Sequence, residues 1–163
     1  MRKIYKLTIQ YDGFDFHGWQ VQARGRTIQG DIEAALSVIY PEEKITLIGA
    51  GRTDAGVHAL GQTAHIKLPP KFSPEQLLQA LNGNLRQDVR IDQVEEADED
   101  FHARFSATGR EYEYHFVKHF SPVNRYYTTP LKFRVDIQLL KKCADLLPGE
   151  HDFTLFCKTT SEV

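Results

Sequence analysis

Alternating hydrophobic and polar residues predict several strands along the chain. Between residues 4 and 11, the side chains of Tyr5, Leu7, Ile9 and Tyr11 fall on one face, which is typical of a half-buried strand. Asp12-Gly13 ends this strand. The same patterning predicts further strands at residues 45–49, 62–68, 89–94 and 110–117.

Helical spacing of apolar residues and their capping residues predict two helices between these strands. Thr27 is the predicted N-cap of the first helix, which ends before Pro41. The second helix begins after Ser73, where Gln76 completes a capping-box pattern. A third helix is predicted nearer the C-terminus, with Asp136 as its cap and Pro148-Gly149 as its end.

The order of these elements predicts an α+β fold. The series β-α-β-β-α-β is a split β-α-β unit (ferredoxin-like or RRM-like), with a mainly antiparallel sheet and helices on one face. The remaining strand and helix are the start of a second similar unit. We therefore expect an N-terminal α+β domain at 1–107 and the incomplete beginning of a C-terminal one at 108–163.

Composition narrows the class of protein. The chain has 163 residues, of which 41% are hydrophobic and 26% charged, as in an ordinary globular protein. No apolar run approaches the ~20 residues of a membrane span, and the N-terminus leads into the first strand without a signal-peptide pattern. Cys143 and Cys157 are too few for a disulfide scaffold. These features predict a cytoplasmic protein.

The net charge of −2 conceals an uneven distribution. Residues 88–100, the acidic strip, hold seven acids and one base, so the rest of the chain carries 19 bases against 15 acids. A basic surface interrupted by one acidic strip is compatible with an RNA partner, and an ordinary mixed surface is the alternative. We expect the acidic strip to lie away from any RNA.

Candidate chemistry is concentrated at residues 49–62, which contain four of the 11 glycines. Asp54 lies there between Arg52 and His58. A nearby guanidinium favours the ionised carboxylate, which can act as a nucleophile or a base. A surface turn with a simple ion pair is the alternative interpretation. The pattern is not that of a phosphate-binding loop.

The stretch from Gly51 to Ala59, Gly-Arg-Thr-Asp-Ala-Gly-Val-His-Ala, resembles the signature of the tRNA pseudouridine synthase A family. Further stretches resemble other motifs of that family in the same order, so the resemblance extends along the whole chain. They lie at residues 11–13, 16–22, 27–33, 81–89, 101–114 and 149–156.

The resemblance implies isomerisation of uridine to pseudouridine in the anticodon arm of tRNA, at positions 38–40, without a cofactor or metal. It implies that Asp54 is the catalytic aspartate, that Tyr112 stacks on the target base and that Arg52 helps to flip it. Such chemistry requires the base to leave its stack. The family also implies a homodimer. Its members are longer than this chain, which implies a truncated form.

Several further residues are weaker candidates for RNA contacts. They are His58, Arg24, Arg26, Arg110 and Lys118, together with Lys3 and Arg125. Phe16 and Trp19 are interpreted first as core or loop anchors. Two other functions stay open, a non-catalytic RNA-binding module and an interaction domain that pairs through an exposed edge.

Overall fold

A computed structural model describes residues 1–156 of the chain. These residues separate into two compact units, one spanning Met1–Glu111 and the other beginning at Tyr112. The division predicted from the sequence lies between residues 107 and 108.

The first unit contains four strands and two helices. In chain order they are β1 (Lys3–Tyr11), α1 (Ile28–Ile39), β2 (Ile48–Gly49), β3 (Ala59–Leu68), α2 (Pro74–Asn84) and β4 (Val89–Ala97). The strands form one sheet in the order β2-β3-β1-β4, in which all neighbouring strands are antiparallel. The predicted α+β split β-α-β fold is therefore confirmed.

The core lies between the two helices and one face of the sheet. The predicted inward face of β1 is confirmed, since Tyr5, Leu7, Ile9 and Tyr11 are all buried. Facing it, α1 and α2 bury their apolar residues at helical spacing. The contributing residues are Ile28, Ile32, Ala35, Leu36, Leu77 and Leu81 from the helices, and Ala64, Ile66, Leu68, Val89, Ile91 and Val94 from β3 and β4.

The predicted caps of both helices are present. The Thr27 side chain accepts a hydrogen bond from the Gly30 amide at 3.2 Å. At the start of α2, Ser73 accepts from the Gln76 amide, and the Gln76 side chain accepts in return from the Ser73 amide. These bonds satisfy amides that have no partner within the helix.

The predicted strand at residues 45–49 is too long, because only Ile48–Gly49 pairs with β3. The amide of buried Leu47 donates to the carboxylate of Glu33 at 2.9 Å, so the backbone there is held by α1 instead of a neighbouring strand. In contrast, β3 begins at Ala59, three residues before its predicted start.

The second unit has little regular structure within the described residues. It contains a parallel pair, β5 (Phe116–Val117) and β6 (Thr129–Pro130), the helix α3 (Ile137–Ala144) and a 3-10 turn at Thr154–Phe156. Asp136 caps α3 as predicted, but the helix ends at Ala144, before Pro148-Gly149. That this unit begins a second split β-α-β arrangement stays a prediction.

The predicted strand at residues 110–117 is wrong over residues 110–115. These residues belong to no strand of the described structure, and among them only the His115 carbonyl, next to β5, accepts a backbone hydrogen bond from another strand, from the Thr129 amide at 2.8 Å. A strand needs a neighbour along its length for its backbone groups. Tyr112, Tyr114 and Phe116, which form the apolar side of the alternation, are all exposed. Cys157 lies outside the described residues. No helix within residues 1–156 is long and apolar enough to cross a membrane.

Candidate active site

Asp54 lies in an irregular loop, residues 50–58, that connects β2 to β3; we call it the Asp54 loop. A tight turn follows Asp54, because the Val57 amide donates to the Asp54 carbonyl at 3.2 Å. Gly56 adopts φ +79° in this turn, a conformation that glycine tolerates best. The side chain of Asp54 is exposed at this turn.

A second loop, residues 12–20, lies directly against the Asp54 loop; we call it the platform segment. Its Trp19 amide donates to the Thr53 carbonyl at 2.9 Å, and its Phe16 carbonyl accepts from the Gly56 amide at 3.3 Å. Phe16 and Trp19 are buried, which confirms their interpretation as anchors. The backbone is therefore fixed on both sides of Asp54.

Two glycines permit this close approach. A Cβ atom added at Gly13 would lie 1.9 Å from the Val57 carbonyl oxygen, and one at Gly18 would lie 2.6 Å from the Thr53 carbonyl oxygen. Gly18 also has φ +92°. The separate sequence motifs around these glycines and around Asp54 are therefore parts of one packed structure.

Side chains outside both loops form further hydrogen bonds to the Asp54 loop. Tyr11 forms a hydrogen bond to the Thr53 hydroxyl at 2.9 Å, and the Gln62 amide donates to the Gly51 carbonyl at 2.9 Å. Arg110 donates to the Ala50 carbonyl at 2.6 Å. Sequence reasoning missed these positioning roles, because each joins residues far apart in the chain.

Asp54 and Arg52 are both exposed. Among residues 1–156, no ion pair joins Asp54 to Arg52 or to another base. An ion pair at Asp54 is thus not formed, neither as the surface contact of the alternative interpretation nor with the Arg52 guanidinium that was expected beside the carboxylate. Chemically, the loop presents a carboxylate to solvent on a backbone that is held in place.

His58 fastens the end of the Asp54 loop to the platform segment. Its Nδ1 lies 2.9 Å from a carboxylate oxygen of Asp12 and 3.2 Å from the Gly13 amide. A neutral ring accepts from Gly13 through this nitrogen, whereas a protonated one donates to Asp12. His58 therefore has a structural contact here, and its role in RNA binding stays a prediction.

Arg26 is engaged within the protein. Its guanidinium binds Asp31 at 2.8 Å and Asp88 at 2.9 Å, and its centre lies 4.2 Å from the middle of the Phe16 ring. The hydrogen bond to Asp88 raises the pKa of Arg26, and the same bond holds the pKa of Asp88 below its usual value. Arg26 thereby packs against the platform segment through the Phe16 ring.

The other candidate contacts lie in different surroundings. Arg24 is exposed beside the platform segment, and Lys3 forms an ion pair with Glu96. Lys118 and Arg125 belong to the second unit, where Arg125 donates to the Pro122 carbonyl and to Tyr126. Tyr112 also belongs to the second unit and is 61% exposed.

The acidic strip is partly neutralised by basic side chains, three from outside the strip and Arg90 from within it. Four of its seven acids form ion pairs; the pairs are Lys3–Glu96, Lys6–Glu95, Arg26–Asp88 and Arg90–Asp92. Residues 1–156 contain no group of three histidine, cysteine, aspartate or glutamate side chains that could hold a metal ion.

Comparison with known proteins places this loop in a family. A family model described as tRNA pseudouridine synthase matches residues 7–106, which include the platform segment and the Asp54 loop. "tRNA pseudouridine synthase A" of Brachyspira hyodysenteriae is 47% identical over 163 residues, covering 96% of this chain and 64% of the relative. The Bacillus subtilis protein of that name is 43% identical over 162 residues, covering 97% and 65%.

"tRNA pseudouridine synthase A 1" of Protochlamydia amoebophila is 44% identical over 154 residues, covering 93% of this chain and 60% of the relative. The chain thus spans about 60–65% of the length of these relatives. Since the family model also covers most of the chain, the chain belongs to the tRNA pseudouridine synthase family.

Proposed function

We propose that this chain carries the catalytic loop of a tRNA pseudouridine synthase. The reaction isomerises uridine to pseudouridine in the anticodon arm, at tRNA positions 38–40. The observation that carries the proposal is the exposed Asp54 carboxylate on a loop whose backbone is bound before and after it. Membership of the synthase family, through a match that includes this loop, supports the same reaction.

Asp54 is the proposed nucleophile. The isomerisation breaks the N1–C1′ bond of the nucleoside and forms a C5–C1′ bond, so that C5 loses its proton and N1 gains one. An ionised carboxylate can attack the nucleoside and then leave again. Reacting groups must be held in a productive geometry, which the packing of the Asp54 loop against the platform segment favours.

Arg52 and Tyr112 are proposed to hold the target nucleotide. The base has to leave the helical stack before it can turn and the bond between C5 and C1′ can form. Arg52, exposed two residues before Asp54, suits the vacated space and a neighbouring phosphate. The exposed ring of Tyr112 suits stacking on the extruded base, an interaction worth about 1–3 kcal/mol.

RNA phosphates are proposed to bind exposed basic side chains. Arg24 and Lys118 are the exposed candidates whose side chains form no ion pair or hydrogen bond in the described structure. His58 and Arg26 lie close to the platform segment and already contact protein groups. Any role for these two in RNA binding is therefore proposed to be secondary to holding that segment in place.

Release of tritium from the uridine C5 position tests the reaction directly, because forming the C5–C1′ bond expels that hydrogen. We expect the 163-residue chain to release tritium from an anticodon stem-loop labelled at C5, and Asp54→Asn to abolish release while RNA affinity stays within about twofold. Asp98→Ala is the matched control, because Asp98 is also an exposed aspartate and its side chain forms no ion pair in the described structure.

Three other results would contradict the proposal. Tritium release that survives Asp54→Asn would exclude Asp54 as the nucleophile. Salt-dependent RNA binding without any release would favour a non-catalytic RNA-binding module. A defined oligomer that binds no RNA at low salt would favour a protein-interaction domain.

We extend the proposal to a homodimer. The second unit exposes many large aromatic side chains, more than an isolated soluble surface usually presents. They include Tyr114, Phe116, Phe120, Tyr127 and Phe133. Sedimentation equilibrium should give twice the chain mass, and a monomer at the concentration of the activity assay would contradict the dimer.

A further inference from the structure

We propose that Arg110 is a positioning residue, which holds the backbone of the Asp54 loop, and that it does not bind an RNA phosphate. The inference rests on the proposed function for its catalytic consequence. Its structural part, a clamp on the loop, can be measured without any turnover.

The contact itself is specific. Nη2 of Arg110 donates to the Ala50 carbonyl at 2.6 Å, a short, charge-assisted hydrogen bond. The side chain then runs along the bare Cα of Gly51, because a Cβ atom added there would lie 3.2 Å from Nε and 3.7 Å from Cδ of Arg110. Arg110 therefore occupies the space that a side chain at residue 51 would need.

The clamped position lies where the sheet ends and the loop begins. The Ala50 amide still donates to the Thr63 carbonyl of β3 at 2.7 Å, whereas the residues that follow leave the sheet. Ala50 is two residues before Arg52 and four before Asp54. A hydrogen bond to the Ala50 carbonyl therefore restricts the direction of the backbone that leads to Arg52 and Asp54.

Arg110 approaches from a segment that is itself anchored to the sheet. The amide of Ala103, which is only 1% exposed, donates to Nδ1 of buried His65 on β3 at 3.1 Å. The Ser106 amide closes a turn on the His102 carbonyl at 2.7 Å. Both residues of the Arg110–Ala50 hydrogen bond are therefore connected to β3. Ala50 bonds to Thr63 directly, and the segment that leads to Arg110 is held through the bond from Ala103 to His65.

Hydrogen exchange tests the clamp. Without Arg110, the amides of Ala50 and Trp19, which bond to Thr63 and Thr53, should exchange about tenfold faster, as expected for loss of one charge-assisted bond. Amides in the middle of β1 should not change. Arg104→Ala is the matched control, since Arg104 is exposed and its side chain forms no hydrogen bond or ion pair within the described part of the chain. Unchanged exchange at Ala50 in Arg110→Ala would overturn the proposal.

A double-mutant cycle with Gly51→Ala separates this contact from other effects at the loop. The added methyl group should speed exchange of the Ala50 amide when Arg110 is present and add nothing in the Arg110→Ala background. Equal effects of Gly51→Ala in both backgrounds would show that the two residues do not meet, and the proposal would fail.

Salt dependence and kinetics separate positioning from phosphate binding. A lost phosphate contact lowers the slope of log affinity against log salt by about one, so Arg110→Ala should leave this slope unchanged. Its kcat should fall by about 100-fold with little change in KM, because a displacement of about 1 Å is enough for such a loss. Arg110→Lys should recover part of the kcat.

A reduced salt slope together with unchanged kcat would overturn the positioning role in favour of a phosphate contact. If the unsubstituted chain itself shows no turnover, the proposed function fails, while hydrogen exchange and the double-mutant cycle still decide whether Arg110 clamps the loop.

Discussion

Gly13→Ala tests whether the Asp54 loop depends on direct contact with the platform segment. The new Cβ atom would lie 1.9 Å from the carbonyl oxygen of Val57, 2.5 Å from its carbonyl carbon and 3.1 Å from its nitrogen. These are backbone atoms, so no side chain can rotate to make room. The two loops must therefore move apart.

The size of the effect follows from these distances. Ordinary van der Waals contact for a Cβ atom begins near 3.4 Å, so the loops must separate by about 1.5 Å at this point. Such overpacking costs about 1–3 kcal/mol. The hydrogen bond from the Gly13 amide to His58, 3.2 Å long, would also be lost at about 0.5–1.5 kcal/mol. We expect the free energy of unfolding to fall by about 2–4 kcal/mol.

Urea unfolding followed by Trp19 fluorescence measures this change. Trp19 is the only tryptophan and is 2% exposed, and its amide bonds to Thr53 of the Asp54 loop. With a slope of about 2 kcal/mol per M, the midpoint should fall by about 1–2 M. Gly83→Ala is the matched control, because an added Cβ there meets no atom within 4 Å and should stabilise α2 by about 0.5–1 kcal/mol. A midpoint for Gly13→Ala within 0.2 M of the unsubstituted protein, roughly 0.4 kcal/mol, would refute the reasoning.

Three further predictions concern the rest of the first unit. Burial, and to a smaller extent the proximity of His102, lowers the pKa of His65. The unfolded chain therefore binds a proton more readily than the folded one, and the free energy of unfolding should fall as the pH drops below about 6.5. His65→Asn, which keeps an acceptor near the position of Nδ1, should reduce the difference between the urea midpoints at pH 7.5 and pH 5.5. Ser73→Ala should cost about 1 kcal/mol in the same assay through loss of the capping box, whereas Ser37→Ala should cost little. Neutralising Asp98, Glu99 and Asp100, which form no ion pairs in the described structure, should change RNA affinity by less than about twofold in a filter-binding titration, and a larger gain would place the acidic strip near RNA.

The sequence predicted those parts of the fold that depend on short-range patterns. Alternation identified the buried face of β1, and side-chain capping identified the starts of α1 and α2. Both signals arise within a few residues, since a strand repeats every two residues and an N-cap binds an amide two or three positions on. The element order then left few ways to pack the sheet.

Alternation failed where no partner strand was present. Residues 110–114 carry the same pattern as β1, yet no segment of the described structure forms a strand pair with them. Likewise, the strand predicted at 45–49 shortened because Glu33, distant in sequence, binds the Leu47 amide. Pairing and side-chain competition are long-range properties, and a local pattern does not contain them.

At the candidate site, too, the short-range motif was predicted and the long-range contacts were not. The glycine-rich motif around Asp54 was evident from the sequence. However, several of its backbone groups find their hydrogen-bond partners outside the motif. Its Gly51 and Thr53 carbonyls and its Gly56 amide bond to Gln62, Trp19 and Phe16, all outside residues 51–59. A fully buried polar group that loses its partner costs about 1–3 kcal/mol. Gly51, Thr53 and Gly56 are half-buried, so the bonds to Gln62, Trp19 and Phe16 help to hold the motif in this conformation. The Asp54 loop is therefore better regarded as a structure built from at least three chain segments, of which the aspartate motif is one.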